Sequence, residues 1–176
     1  MPDPIEIDVW QGEIAQLEVD GLVIPASESL FMTGPVAHGV KVRAGEEVER
    51  AAVDQGPISA GAAVVTPGGQ LPAPYVIHAV AVGHDLQADD SQLDRAWASA
   101  LDLAQHLGLR RIAVAPLGTE RGVFSPDDSA AALARVLQSR SAEGSWVPAA
   151  VVVAVGSQPE AAAYFAALEP IRSTTS

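Results

Sequence analysis

At 176 residues, 48% of them hydrophobic, the chain is long enough to bury one proper core and short for two domains. Its 22 acidic residues against 10 basic ones leave a formal net charge of −12. That balance argues against a broad electrostatic grip on nucleic acid or anionic lipid, and leaves room for one small anion site built from main-chain amides. Cysteine is absent, which removes disulfide and thiolate chemistry and fits a cytoplasmic setting. The start, Met-Pro-Asp-Pro-Ile-Glu, lacks the basic and apolar regions of a secretory signal, and no apolar run approaches a membrane span.

Ile5 to Trp10 alternates apolar and acidic residues, the pattern of a half-exposed edge strand, and Gln11 to Ile14 reads as a turn. Asp20 to Pro25 encloses Gly-Leu-Val-Ile and reads as an inner strand, followed by a loop over Ala26 to Pro35. Val36 to Val53 keeps a helical spacing of apolar residues, with Lys, Arg and Glu on the other face. Two further strands are expected, Ala62 to Thr66 and Tyr75 to Val80, joined by a stiff Pro- and Gly-rich connection. Ser91 and Asp94 have the spacing of a capping box for a helix that buries Leu93, Trp97, Ala100, Leu101, Ala104 and Leu107, with Gly108 at its left-handed end.

Arg111 to Pro116 is short, apolar and bounded, as suits a strand covered on both faces. Beyond a glycine-containing turn, Ser125, Pro126, Asp127 and Asp128 mark a helix start by cap, first-turn proline and dipole, and that helix is expected to run to about Gln138. Ala149 to Val155 is an almost wholly apolar strand. Ser157 with Glu160 is spaced to cap a last helix, Glu160 to about Leu168, and Arg172 onward reads as a frayed tail.

Strands alternating with helices point to a sheet covered on both sides, and several connections have the length of crossovers between parallel strands. The first strand and the 62–75 region are expected to pair antiparallel, giving a mixed sheet. If the strands at 20–25 and 111–116 are parallel neighbours, the loops that follow them emerge on one edge and face each other across a cleft. The histidines are scattered. His78 lies within a strand and reads as structural, while His84, six residues on, is too weak a partner to suggest a metal.

Gly12-Glu13-Ile14, Val19-Asp20-Gly21-Leu22-Val23, Gly61 to Gly68, Leu71 to His78 and the Ile112–Phe124 strand and loop occur in the order found in macro domains. The chain resembles that family, the module that binds ADP-ribose, from roughly Ile5 to Leu168. The resemblance implies a three-layer α/β/α sandwich with a mixed, mostly parallel central sheet, as a single domain over residues 1–170 with a flexible tail at 171–176. It also implies a pocket. Glu13 would stand where the family's adenine-contacting aspartate lies, with Ile14 beside it. Gly34, Pro35 and Val36 would form a first phosphate loop, Gly118, Thr119, Glu120, Arg121, Gly122 and Val123 a second, and Phe124 would lie against the distal ribose.

Departures from the family pattern are as informative. Ile24, Pro25, Ala26 and Ser27 stand where family members carry Asn-Ala-Ala-Asn, so Ser27 replaces the asparagine that contacts the distal ribose. Ala37 replaces the aspartate that activates water in one hydrolase branch. Pro35 removes an amide donor, Val123 takes a position usually held by glycine, and so does Glu120, which brings a negative charge near a diphosphate; Arg121 is placed to offset it. The resulting expectation is a binding module for ADP-ribose or a related nucleotide diphosphate, carried free or on an ADP-ribosylated protein, with no catalytic residue, resident cofactor or metal. The alternatives are an ADP-ribosyl or O-acetyl-ADP-ribose hydrolase with an atypical site, or a scaffold that has lost its ligand and serves a protein partner.

Overall fold

A computed structural model of the protein describes residues 5–87 and 89–172. Among these residues, six strands, β1 (Glu6–Gln11), β2 (Gly21–Pro25), β3 (Ala63–Pro67), β4 (Tyr75–Ala79), β5 (Arg111–Val114) and β6 (Ala150–Val155), form one sheet in the order β1-β6-β5-β2-β4-β3. All neighbours are parallel except β3 and β4. The sheet is mixed as expected, but its antiparallel pair is β3 with β4, while β1 lies at the opposite edge and runs parallel to β6, in register from Glu6–Ala150 to Gln11–Val155. Alternation identifies the exposed face of an edge strand and carries no information on the direction of its neighbour, which is why the sequence misplaced this pair.

Among the described residues, five helices cover the sheet: α1 (Pro35–Ala44), α2 (Glu46–Val53), α3 (Asp90–His106), α4 (Pro126–Ala142) and α5 (Gln158–Leu168). Alternate residues of the strands feed two separate cores. Val23, Ile77, Ile112, Val114, Val151 and Val153 pack under α3, α4 and α5. Leu22, Ile24, Val76, Ala113 and Ala154 pack under α1, α2 and the 3₁₀ turn at Ile14–Gln16. With both faces covered, every residue of β2 is buried, and an uninterrupted apolar run is what such a strand requires.

The helical spacing across 36–53 does not make one helix. Gly45 stands at φ +104°, and the Gln70 amide takes the carbonyl of Ala44 that continued helix would have used. A φ in that range is open to glycine and disfavoured for other residues, so the backbone turns there while the apolar rhythm runs on. Asp89, rather than Ser91, caps α3, its carboxylate accepting from the Ser91 amide at 2.9 Å. Both residue types are good caps, and the sequence has no means of ranking two candidates two residues apart. The α4 start is as expected: Ser125 Oγ accepts from the Asp128 amide and Asp128 accepts from the Ser125 amide. That helix runs on to Ala142. Arg172 bridges to Ile5 and lies 5.3 Å over the Phe165 ring rather than fraying; the rest of the expected tail, 173–176, is outside the described residues.

The chain leaves β2 for β4 on one side and returns to lay β5 on the other, so the loops after β2 and β5 emerge side by side at the carboxyl edge. Asp20 fixes this junction from below, its Oδ2 accepting from the amides of Arg110 at 2.9 Å and Arg111 at 2.8 Å. Charge-assisted bonds of this kind hold the two strands in register, and with them the relative height of the two loops.

Candidate functional site

The first loop, residues 26–34, is tied back by a carboxylate. Glu49 Oε2 accepts from the Met32 amide at 2.7 Å while Oε1 pairs with Lys41 Nζ at 2.9 Å. Burial alone would raise the Glu49 carboxyl, but the Lys41 ammonium and the Met32 amide, with His38 nearby, hold it below the usual carboxylate range. It is therefore an anion at neutral pH, anchoring the loop just ahead of Gly34.

The second loop, residues 115–125, turns on Gly118 at φ +84°, where an added Cβ would meet the Phe124 ring at 2.6 Å. Its underside rests on a buried hydrogen-bond chain. Ser129 Oγ donates to the Leu117 carbonyl at 2.6 Å, and with its one proton so committed it accepts from Tyr164 Oη at 2.6 Å. Burial pushes the Tyr164 phenol well above its ordinary value, so it stays protonated and able to donate. Ser129→Ala is expected to cost about 1–3 kcal/mol in denaturant unfolding, because it strands two buried polar groups at once. The same variant should raise amide exchange across residues 117–124, above the missing hydroxyl.

The two loops meet. Glu120 Oε1 accepts from the Val36 amide at 3.2 Å, and Oε2 lies against Gly34, where an added Cβ would stand 2.7 Å away. This contact divides the cleft. On one side is a chamber of about 940 Å³ lined by Glu13, Ile14, Pro35, Val36, Thr119, Gly122, Val123 and Phe124. On the other is a chamber of about 190 Å³ lined by Ser27, Gly34, Ala37, Gly118 and Arg121. Glu120 lines both. Every residue expected at the site thus borders one chamber or the other, and the turns near 34 and 120 do converge. An open chamber of this size weighs against a scaffold whose cleft has closed.

Three placements differ in detail from expectation. Phe124 is buried beneath Gly118 and borders the larger chamber, while Ser27 borders the smaller, so the two do not share one ribose-sized space. Glu13 is engaged by its neighbours, Oε2 taking Arg43 Nη2 at 2.9 Å and Gln16 Nε2 at 3.2 Å. Pro35 occupies the first turn of α1, where its lost amide has no helical partner to miss, and Val36 supplies the donor next to it.

The sequence also left residues out. Glu28 and His84, 3.7 Å apart, border the small chamber. The turn from Gly156 to Glu160 borders the large one, with Glu160 Oε1 accepting from the Gly156 amide at 3.1 Å. The strand rule that flagged the loops after β2 and β5 applies equally to the loop after the parallel neighbour β6, and would have found this turn. The same rule covers Glu28, in the loop after β2, and His84, in the loop after β4, which is parallel to β2; that the two side chains meet is what it could not give. Electrostatically the cleft is acidic: Glu13, Asp128 and Glu160 border the large chamber, and Arg121 is the one lysine or arginine on either chamber among the described residues.

A mostly parallel α/β/α sandwich with a divided cleft at the carboxyl ends of its central strands is the class this architecture defines. The macro domain family model matches residues 23–133, and the chain belongs to the macro domain family. It is 35% identical over 126 residues to an uncharacterized protein of Mycobacterium tuberculosis, covering 72% of this chain and 35% of that protein. The chain thus spans about a third of the length of that relative. It is 38% identical over 132 residues to an O-acetyl-ADP-ribose deacetylase of Escherichia fergusonii, covering 72% of this chain and 73% of that enzyme. Among solved structures, the Trypanosoma brucei macrodomain in complex with ADP-ribose superposes with a TM-score of 0.83 at 23% identity, covering 90% of this chain and 67% of that one. At that identity the likeness speaks for the fold.

Proposed function

We propose that this domain binds ADP-ribose, or a nucleotide diphosphate close to it, across the two chambers and does not hydrolyse it efficiently. The observation that carries the reading is the convergence of the loops after β2 and β5, with a large chamber on one side of the junction and a small one on the other. A nucleoside, a diphosphate and a second sugar laid in line have that same large–narrow–small profile. The macrodomain of T. brucei, described with ADP-ribose, supports the choice of ligand. The small chamber offers Ser27 and Ala37 where hydrolytic members of the family place asparagine and aspartate, which supports binding over turnover. An ADP-ribosylated protein would present the same group from outside.

Calorimetric titration with ADP-ribose tests the reading: saturable heat at micromolar to millimolar ligand is the expected result, and no heat at millimolar ligand removes it. A second reading, hydrolysis of an ADP-ribosyl or O-acetyl-ADP-ribose bond, has one observation in its favour, the Glu28–His84 pair at the small chamber. Release of ADP-ribose from a modified protein, or of acetate from the ester, would establish it; binding without turnover would reject it.

A further inference from the structure

In the resting cleft, the anion nearest the first phosphate loop belongs to the protein. Glu120 is an exposed loop residue, yet its carboxylate reaches the first loop, from a position 84 residues away in sequence, to accept the Val36 amide. Gly34 makes the approach possible, since a side chain there would collide with Oε2. The amide at the second position of α1 points out of the helix with no internal partner, and a ligand phosphate entering between the loops would use it. One N–H cannot serve two anions at full strength, and two like charges at that spacing repel.

We propose that Glu120 is the specificity-determining residue of this cleft. It holds the phosphate seat at the first loop, so the resting domain discriminates against a nucleoside diphosphate relative to the uncharged nucleoside, and the diphosphate binds only as Glu120 swings out. The inference rests on the nucleotide reading given above and adds the residue that sets how strongly the diphosphate is bound relative to the bare nucleoside. A nucleoside needs only the large chamber, whose Ile14, Val36, Val123 and Phe124 give it apolar walls. ADP-ribose must pass Glu120 to reach the small one. Because Glu120 is exposed, its departure opens no core, and Arg121 of the same loop, on the wall of the small chamber, is left as the loop's charge.

Equilibrium binding of adenosine and of ADP-ribose to the unmodified protein, E120Q and E120A, with each fold checked by thermal melting, tests the proposal. The ratio of ADP-ribose to adenosine affinity is expected to rise about tenfold in E120A, which frees the amide and removes the charge. It should rise less in E120Q, whose amide oxygen still accepts from Val36. A ratio unchanged in E120A, with both ligands binding, overturns the role of Glu120 and leaves the nucleotide reading standing. Failure of both ligands to bind any of the three proteins overturns that reading and the inference with it.

Discussion

Replacing Trp97 with alanine is expected to destabilise the domain by about 3–5 kcal/mol. Trp97 is fully buried on the inner face of α3, in the core that also contains Leu93, Leu117, Phe124 and Leu133. Apart from Phe124 and Tyr164, the other buried members of that core are aliphatic residues and alanines, so little nearby can expand to fill the space. For a domain of this length the loss corresponds to a fall of roughly 6–20 °C in Tm. The indole Nε1 has no hydrogen-bond partner among the described residues, so the side chain contributes through volume and contact area alone. Trp97→Phe should therefore cost less than half as much as Trp97→Ala in urea unfolding, having no hydrogen bond to lose. Equal costs for the two would show that the indole N–H, and not the volume, is what the site requires. The second loop shares this core through Leu117 and Phe124, so Trp97→Ala should also weaken ligand binding at a distance.

Particular residues show how far the sequence reaches. The wholly buried β2 and the almost wholly buried β5 announce themselves because strands covered on both faces have no polar alternation. Ser125-Pro126-Asp127-Asp128 marks the start of α4 through local chemistry that needs no distant partner. Gly108, at φ +69°, ends α3 for the same reason. What fails is whatever depends on a partner far along the chain. The break at Gly45 is made affordable by Gln70, whose amide takes the freed carbonyl. The direction of β1 is fixed by β6, roughly the whole chain away.

The site follows the same division. Its location, at the loops after β2 and β5, follows from strand order, and the residues named from the family pattern all border the chambers. Its electrostatics do not follow from any motif. Glu120 reads from sequence as a misplaced charge, and in the structure it is the group that joins the loops. Although the residue as a whole is exposed, desolvation of its carboxyl where the loops meet raises it, the Val36 amide and Arg121 work against that, and Glu160 from the start of α5 adds to it. An acid held in that balance is a poor permanent neighbour for a diphosphate and a serviceable temporary one, which is the behaviour the E120A and E120Q comparison measures. Glu28 and His84 meet at the small chamber from different loops, and only the folded chain puts them together.

Acidification from pH 7 to pH 5 is expected to remove about 2 kcal/mol of stability through His78 alone. Its imidazole, on β4, is 1% exposed, and Nε2 lies 3.0 Å from Thr66 Oγ1 on the antiparallel neighbour β3. Burial disfavours the charged ring and pulls its pKa from 6.5 down to about 4. The unfolded chain accepts a proton near the ordinary value and the folded chain refuses it, so protonation favours unfolding. The contribution is fully present above about pH 7, declines as pH falls through the unfolded value, and levels off below the folded one at a total loss of about 3 kcal/mol. His78→Gln keeps a polar group for Thr66 and carries no titrating ring. Urea unfolding of both proteins at pH 7 and pH 5 isolates the effect, because Glu49, Glu120 and the other carboxylates titrate alike in each. The variant should lose about 2 kcal/mol less than the unmodified protein over that interval; parallel losses would mean that the fold accommodates a charged His78 and that the acid limb belongs to the carboxylates.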